Sequence, residues 1–356
     1  MSGGTLGAYL RRRVGAQILA LLLVLAALMQ VLELLDVTTD ILERGLGLGG
    51  LVRYAWLRAP GELVLALPLA VLLGGMTAFH AMARRQEITA MRSAGVGLGR
   101  IFAYLLPLPL LLALAQFALS QTLVPRFETE LKRWWDETAL PADAAADPTW
   151  VNTDSGPAAL QRSSADGRRI EGLRLYEVAD DGVLASRLTA DSAQWRGGAW
   201  RLENVTVLRI GAEKVTRSHE AERVWSSNLH PDDVTRLKLA QPHLSSMMLA
   251  DTIAGERVGA QPLSYYRTVF FRSFTSPLGL FVMLLLALPA AAALSRGGGS
   301  GQLLTALGLG LGFMLCDGLI ASLGTGGRLP PLAAAVAAPV VFAVLGVLQL
   351  RAYDRR

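Results

Sequence analysis

Six long apolar runs constrain this chain more than any other feature of its sequence. Each has about the 20 residues that a helix needs to cross a hydrocarbon core roughly 30 Å thick. The runs are Val14–Leu35, Leu63–Met82, Ile101–Val124, Phe274–Leu294, Leu303–Leu323 and Leu332–Leu350. Of the 356 residues, 52% are hydrophobic and only 18% are charged, a balance unlike that of ordinary soluble domains. The sequence therefore predicts an α-helical membrane protein with six transmembrane helices.

The first run follows Arg11, Arg12 and Arg13, so we considered a cleaved signal peptide. Its apolar stretch is longer than the usual signal core of about 7–15 residues, and no A-x-A-like cleavage site closes it. We expect this run to be retained as the first transmembrane helix.

The distribution of arginine predicts the orientation, because basic residues are kept on the cytoplasmic side of a membrane. With the N-terminus inside, four arginines lie in the short external loops: Arg44, Arg53, Arg58 and Arg328. Eleven lie in the cytoplasmic flanks: Arg11, Arg12, Arg13, Arg84, Arg85, Arg92, Arg100, Arg296, Arg351, Arg355 and Arg356. We therefore expect both termini in the cytoplasm. The net charge of +5 follows largely from this bias and requires no nucleic-acid partner.

The segment between the third and fourth runs, residues 125–273, has a different character. It begins with a helix-like stretch, "RFETELKRWWDETA", and continues with apolar and polar residues that alternate as in half-buried strands. Asp180-Asp181-Gly182 and Gly197-Gly198 supply turns, the second in a hairpin between Trp195 and Trp200. The spacing predicts an external β domain of the sandwich or jellyroll type.

The sequence carries no common catalytic or nucleotide-binding motif. "RGGGSGQ" at 296–302 lacks the lysine of a P-loop and follows a membrane helix rather than a strand. The four histidines, His80, His219, His230 and His243, do not have the spacing of metal ligands. The single cysteine, Cys316, falls in the fifth run, so the external domain has no disulfide framework. We expect a protein that is not an enzyme and binds no metal or cofactor itself.

The polar stretch "MARRQEITAMRSAGVGLGR", Met82 to Arg100, separates the second and third runs. On a helix, Ile88, Met91 and Gly95 would form a short apolar face, and the glycines that follow would end it. Two interpretations remain open on periodicity alone. The stretch is either a connector lying on the lipid headgroups or a helix that docks into a cytoplasmic partner.

"QEITAMRSAG" resembles the S-E-L-T-x-M-R-A-x-G pattern in the cytoplasmic loop of the LptF/LptG family, the permeases of the lipopolysaccharide export transporter. "YLRRRVGAQILALLLVL", "GLRLYEVADDGVLASRLTADSAQWRGGAWRLENV" and "FMLCDGLIASLGTGGRLPP" are similar to the family's first helix, periplasmic domain and passage between the last two helices. The resemblance covers essentially the whole chain. The "L-x-L-Y", "W-R-L-x-N-V" and "C-D-G-L" patterns look more like the LptG branch than the LptF branch.

The resemblance implies an ATP-binding-cassette permease in the inner membrane of a Gram-negative bacterium. Residues 1–124 would hold three transmembrane helices and a coupling helix at about 84–96. Residues 125–273 would form the periplasmic jellyroll-like domain, and residues 274–356 three more helices and a short tail. The coupling helix would meet the ATPase LptB through five residues: Glu87, Ile88, Met91, Arg92 and Gly95. ATP and Mg would bind to two copies of LptB, and LptF, LptC and the bridge protein LptA would be the other partners.

In this family the first and fifth spans flank the gates of the lipid cavity, which singles out residues on these two helices. The candidates for the cavity or gate are Leu21, Leu25, Leu28, Leu32, Phe313, Asp317 and Ile320. Apolar stripes of this kind also serve as lipid-facing or helix-packing surface. Asp317 is costly inside a span, so it either pairs, faces a cavity or carries protons, unless it is a hydrogen-bonded packing residue.

The outer end of the first span departs from the family pattern. Where LptG-type chains carry lysines that meet lipid phosphates, this chain has Glu33, Asp36, Asp40 and Glu43. Arg44, Arg53 and Arg58 follow and are the head-group candidates, with a divalent cation as one way to bridge phosphate and carboxylate. Other functions remain open: an LptF-type paralogue, a proton-coupled lipid transporter using Asp317 and Glu33, or a scaffold that only presents the β domain.

Overall fold

The computed structural model describes residues 3–138, 148–164, 166–178, 184–210, 215–237, 244–255, 259, 261–288 and 299–354. Within these ranges, six helices are long and apolar enough to cross a membrane, and a six-stranded antiparallel sheet is inserted between the third and the fourth. The predicted fold class is therefore confirmed. The turn at Asp180-Asp181-Gly182, together with Arg296, Arg355, Arg356, His243 and the end of the fourth run, lies outside the described residues.

Twelve α-helices occur along the described chain. They are α1 (Gly3–Glu43), α2 (Gly47–Arg84), α3 (Glu87–Ser93), α4 (Leu98–Leu105), α5 (Pro107–Ala118), α6 (Val124–Glu137), α7 (Pro231–Leu237), α8 (Ser246–Ile253), α9 (Leu263–Thr275), α10 (Gly279–Ala287), α11 (Gly299–Thr325) and α12 (Pro331–Asp354). A π-helical segment, Leu119–Leu123, joins α5 to α6, and a short 3-10 turn, Ser276–Leu278, joins α9 to α10.

The helices are longer than the apolar runs that predicted them. The first span has 40 residues, so it is about 60 Å long at 1.5 Å per residue and exceeds the thickness of the hydrocarbon core. The fourth span, for example, begins at Leu263 rather than Phe274. Arg267 and Arg272 lower the hydropathy of its first turns, so a search for apolar runs starts too late there.

The chain divides into two compact units. The first contains residues 1–41, 47–124 and 267–356, and the second contains residues 42–46 and 125–266. The core of the first unit is built mainly from α2, α10 and the helices packed on them. Phe79, Met82, Leu284 and Leu286 are fully buried there.

The closest approach between α1 and α2 occurs at Gly74. A Cβ atom at this position would lie 2.6 Å from the Cα atom of Ile18, so no larger residue fits without moving one helix. Ile18 itself is almost completely buried. In lipid, where helices gain little from hydrophobic burial, such close backbone approaches at small residues supply much of the packing energy.

The second unit contains a sheet in which each strand pairs with its neighbours in the sequence. The strands are β1 (Thr149–Thr153), β2 (Gly156–Ser163), β3 (Arg169–Val178), β4 (Leu184–Arg196), β5 (Ala199–Ile210) and β6 (Val215–Trp225), in the order β1-β2-β3-β4-β5-β6. The predicted hairpin is present: Trp195 pairs with Trp200, and Gly197 and Gly198 both have positive φ in the turn. This is the geometry of a two-residue hairpin turn that matches the twist of the strands.

A line of irregular positions crosses β3, β4 and β5 at Gly172, Asp191 and Asn204. Gly172 and Asn204 have positive φ, and all three residues are absent from the regular pairing. On β5 the buried residues are Trp200 and Leu202 before the line and Val205 and Val207 after it, so the alternation changes phase there. The buried residues on both sides of the line belong to one cluster. The β domain expected from the sequence is thus one antiparallel sheet in sequence order with a single hydrophobic core.

We predict that Gly74→Ala destabilises the helical unit, because the added methyl group meets the backbone of Ile18. Overpacking of this kind costs about 1–3 kcal/mol. The matched control is Gly61→Ala on the same helix, where a Cβ atom would meet nothing within 4 Å. Thermal unfolding of the purified chain should give a lower midpoint for Gly74→Ala and an unchanged or higher one for Gly61→Ala. Equal midpoints would mean that the α1–α2 contact is not tight.

Candidate functional site

The polar loop between the second and third spans contains a separate short helix, α3. The chain leaves α2 at Arg84 and turns at Gln86, whose φ of 63° is uncommon for a residue other than glycine. Helix α3 ends before Gly95, which has a φ of 81°. Glu87 in its first turn and Arg92 in its last turn complement the helix dipole. The loop is therefore ordered, with a helix oriented independently of α2.

The two apolar residues of α3 point into the helical bundle. Ile88 and Met91 are buried and belong to the same core cluster as the transmembrane helices. Thr89, Ala90 and Ser93 are exposed on the outer side. The structure thus separates the residues proposed to meet a partner. Ile88 and Met91 fasten α3 to its own chain, Glu87 and Arg92 are half-buried, and Gly95 is exposed.

Glu87 makes a hydrogen bond that the sequence did not suggest. The hydroxyl of Tyr9, near the start of α1, donates to Oε2 of Glu87 at 2.9 Å. Two residues further along α1, Nη1 of Arg11 donates to the backbone oxygen of Tyr104 on α4 at 3.1 Å. Leu10, between them, is fully buried in the core cluster that also contains Ile88 and Met91. The first turns of α1 are therefore seated on both helices of the loop region.

Helix α1 exposes most of its apolar stripe. Leu28 and Leu32 are each 55% exposed, and Leu21 and Leu25 are partly buried. The exposed part lies beyond the close contact between Ile18 and Gly74. The described part of the chain leaves this surface open, so lipid, a substrate acyl chain or a partner subunit is available to cover it in a membrane.

The residues proposed on the fifth span, α11, lie in different environments. Phe313 is buried and makes an edge-to-face contact with Phe342 of α12, with ring centroids 5.5 Å apart. It also faces Gly279 of α10. Ile320 is partly buried at the edge of the same core. Phe313 therefore packs α11 against its neighbours, and Ile320 lies nearer the surface.

Asp317 forms an ion pair with Arg272 of α9, with Nη2 and Oδ2 2.7 Å apart. About a quarter of the Arg272 side chain and a fifth of the Asp317 side chain remain exposed. Arg272 also lies 3.4 Å from the backbone oxygen of Asp317. Sequence analysis missed this partner because it placed Arg272 outside the fourth span, whereas α9 includes it. The cost of an acid inside a span is thus offset by a basic residue on a neighbouring helix.

A second polar cluster lies where α1 and α2 face each other at the opposite end from the loop. Oε1 of Glu33 accepts a hydrogen bond from the Tyr54 hydroxyl at 2.8 Å and lies 3.0 Å from Nε of Arg58. Glu62, one turn further along α2, is buried, and neither of its carboxyl oxygens has a hydrogen-bond partner among the described residues. Arg58, a proposed head-group contact, is therefore already engaged by an acid.

The other two head-group candidates differ from Arg58. Nη1 of Arg44 donates to the backbone oxygen of Trp135 at 2.8 Å, and its guanidinium lies 4.1 Å from the centre of a Trp135 ring. A cation over an aromatic face at this distance is attracted by it. The Arg53 side chain is exposed. Among the described residues, no group of three or more His, Cys, Asp or Glu side chains is arranged to hold a metal ion.

Comparison with known proteins connects these features. The sequence model of the family described as lipopolysaccharide export system permease LptF/LptG matches residues 8–352. The chain is 22% identical over 289 residues to the lipopolysaccharide export system permease protein LptG of Haemophilus influenzae, covering 80% of each chain. It is 21% identical over 290 residues to LptG of Escherichia coli strain K12, again over 80% of each. A match that includes all six spans and the inserted β domain leaves one conclusion: the chain belongs to the LptF/LptG family of lipopolysaccharide export permeases.

Proposed function

We infer that this chain is the LptG-type permease subunit of a lipopolysaccharide exporter, a multi-pass protein of the inner membrane. The observation that carries this conclusion is the family match across residues 8–352, which includes the helical and the β unit together. The relatives found are named LptG, which favours this branch over LptF. The subunit would extract lipopolysaccharide from the membrane and pass it to the periplasmic bridge.

The proposed source of energy is ATP hydrolysis by a partner, LptB, with ATP and Mg bound there rather than to this chain. The structure supports α3 as the docking element because the helix is ordered and fastened to the bundle through Ile88 and Met91. A force applied to the outer side of α3 would therefore reach the transmembrane helices. ATP can shift the transporter between two states only if it binds one of them more tightly than the other. Helix α3 would pass the resulting movement of LptB to the permease.

The proposed assembly contains LptF as the second permease, two LptB subunits, LptC and, through the bridge, LptA. Its orientation follows from the arginine bias, with both termini and α3 in the cytoplasm and the β domain in the periplasm. The long exposed stripe of α1 supports a further interface, because Leu28 and Leu32 are each 55% exposed in the described part of the chain. We assign this stripe, with Ile320 of α11, to the lipid cavity and its gates, and Phe313 to the packing that holds α11 in place.

The head group would be met near the outer end of α1. Arg58 is the candidate closest to the apolar stripe, but Glu33 holds it. A lipid phosphate must displace the carboxylate of Glu33 or bind beside it through a cation. A proton-coupled transporter would need a path of free carboxyl groups, but the two acids considered for it, Glu33 and Asp317, each lie in an ion pair. Glu62 is a buried carboxyl without a hydrogen-bond partner among the described residues, and a single group does not make a path. These contacts fit an ABC permease better than they fit a proton-coupled transporter.

Replacing Glu87 tests the docking hypothesis. Glu87→Ala should weaken binding of LptB by roughly 10- to 100-fold, the effect of losing hydrogen bonds to a charged group. Co-purification with LptF, LptB and LptC, followed by ATP-dependent release of lipopolysaccharide from proteoliposomes, measures both binding and coupling. Glu220→Ala, which removes an exposed acid from β6, is the control and should behave as wild type. Full binding and release with Glu87→Ala would leave α3 as a connector only.

The ion pair between Arg272 and Asp317 makes a prediction about stability. Asp317→Asn or Arg272→Gln alone leaves one charge without its partner near lipid, where breaking a buried pair costs up to about 3–5 kcal/mol. The double variant removes both charges and should unfold at a higher temperature than either single variant. Thermal unfolding of the purified complex measures this order. Additive losses in the double variant would mean that the two residues do not depend on each other.

The competition between Glu33 and a lipid phosphate for Arg58 can also be measured. Glu33→Gln should increase retention of lipopolysaccharide about fivefold to tenfold by freeing the guanidinium, and Arg58→Ala should lower it by a similar factor. Arg174→Ala, which removes an exposed arginine from β3, serves as the control. Copurified lipopolysaccharide per complex, quantified after detergent extraction, is the readout. If Glu33→Gln and Arg58→Ala retained the same amount of lipopolysaccharide, Arg58 would not belong to the head-group site.

A further inference from the structure

The contacts of α1 are concentrated at its cytoplasmic end. Tyr9 is hydrogen-bonded to Glu87 of α3, and Arg11 to the backbone of α4. Leu10 is fully buried between them. Position 7 is also close to the loop region, because a Cβ atom on Gly7 would lie 3.7 Å from Cβ of Tyr104. Three successive residues of α1 thus contact the short helices that follow α2.

Further along α1, a Cβ atom on Gly15 would lie 3.3 Å from the side chain of Leu108 on α5, and a close contact with α2 follows. Ile18 meets Gly74 at a distance that only glycine permits, so the two backbones touch there. Beyond this point Leu19, Leu23 and Leu28 are more than half exposed, at 56%, 58% and 55%. The polar contact of Glu33 with Tyr54 and Arg58 follows near the outer end. Helix α1 is therefore held at its start, lies against the α2 backbone at Ile18, exposes the leucines that follow, and is joined to α2 again through Glu33.

A continuous helix with this pattern of support behaves as a lever. At about 1.5 Å of rise per residue, Tyr9 lies about 14 Å and Leu32 about 21 Å along the axis from Ile18. A displacement of about 1 Å at Tyr9 would then move Leu32 by about 1.5 Å in the opposite direction, provided that the helix does not bend and that the contacts of Glu33 with Tyr54 and Arg58 are released. Movement of the loop would change the position of the apolar stripe of α1.

We propose that Tyr9 is a positioning residue that ties α3 to α1, so that displacement of α3 by the ATPase turns α1 about the Ile18–Gly74 contact. This inference rests on the proposed function of α3 as the docking helix. Glu87 then has two tasks, one toward the partner and one toward Tyr9. The hydroxyl of Tyr9 holds the carboxylate in position, and α1 carries the displacement toward the lipid cavity.

Two conservative variants separate these tasks. Tyr9→Phe keeps the ring and removes only the hydroxyl that donates to Glu87. Glu87→Gln keeps an oxygen that accepts this hydrogen bond and removes the charge offered to a partner. Tyr104→Phe is the matched control, because Tyr104 accepts from Arg11 through its backbone oxygen, which the substitution retains.

The experiment uses the full complex with LptF, LptB and LptC in proteoliposomes. Spin labels on Leu32→Cys and on Cys316, the single native cysteine and an exposed one, report the distance between α1 and α11. For each variant we would measure bound LptB, ATP hydrolysis, the ATP-dependent change in this distance and the release of lipopolysaccharide.

We expect Tyr9→Phe to retain LptB and to hydrolyse ATP within about twofold of wild type. In Tyr9→Phe the ATP-dependent change in the distance between α1 and α11 should be lost. Release of lipopolysaccharide should fall about tenfold, the effect of losing one hydrogen bond to a charged group. Glu87→Gln should bind less LptB but keep the distance change in the complexes that form. Tyr104→Phe should match wild type in all four measurements.

Other outcomes overturn the proposal. A normal distance change and normal release in Tyr9→Phe, with both lost in Glu87→Ala, would refute the lever while keeping α3 as the docking helix. Loss of LptB from Tyr9→Phe would place Tyr9 in docking instead of transmission. If the wild-type chain itself does not retain LptB, the docking function fails and the lever with it.

Discussion

The hydrocarbon core of a membrane offers no hydrogen-bond partners to a polypeptide, and the helical unit follows from that constraint. Each backbone amide and carbonyl within a span must be satisfied by its own helix. The hydroxyl groups of the spans obey the same rule: Ser273 and Thr305 donate to the backbone oxygens four residues earlier, those of Val269 and Gly301. Arg272 and Asp317 satisfy it by pairing with each other.

The same constraint explains how the helices pack. Since lipid tails are as apolar as leucine, close van der Waals contact rather than exclusion of water holds the helices together. Gly74, Gly324 and Gly346 each lie against a neighbouring helix so closely that a Cβ atom would collide with it. Helix α2 is well covered as a result, whereas α1 and α11 keep large exposed faces. These two helices are the parts of the unit most available to lipid and to a second permease.

Three of the polar contacts that join α1 and α11 to the rest of the unit use carboxylates, and each lies at a different place. Tyr9 joins α1 to the loop, Glu33 joins it to α2, and Asp317 joins α11 to α9. All three remain partly exposed, so solvent or an anionic ligand can compete for them. Contacts of this kind can hold one arrangement of the helices without preventing another, as a transport cycle requires.

The sequence by itself determined the elements of this protein, because their signals are local. Run length identified the spans, alternation identified the strands, and Gly197-Gly198 identified a hairpin. The loop motif and the family resemblance also lay within continuous stretches. Only the tertiary structure decided which residues meet. Tyr9 and Glu87, or Arg272 and Asp317, are far apart in the chain, and no local pattern reports that they form pairs. It also directed Ile88, Met91 and Phe313 into the core, since periodicity reveals an apolar face but not the surface that covers it.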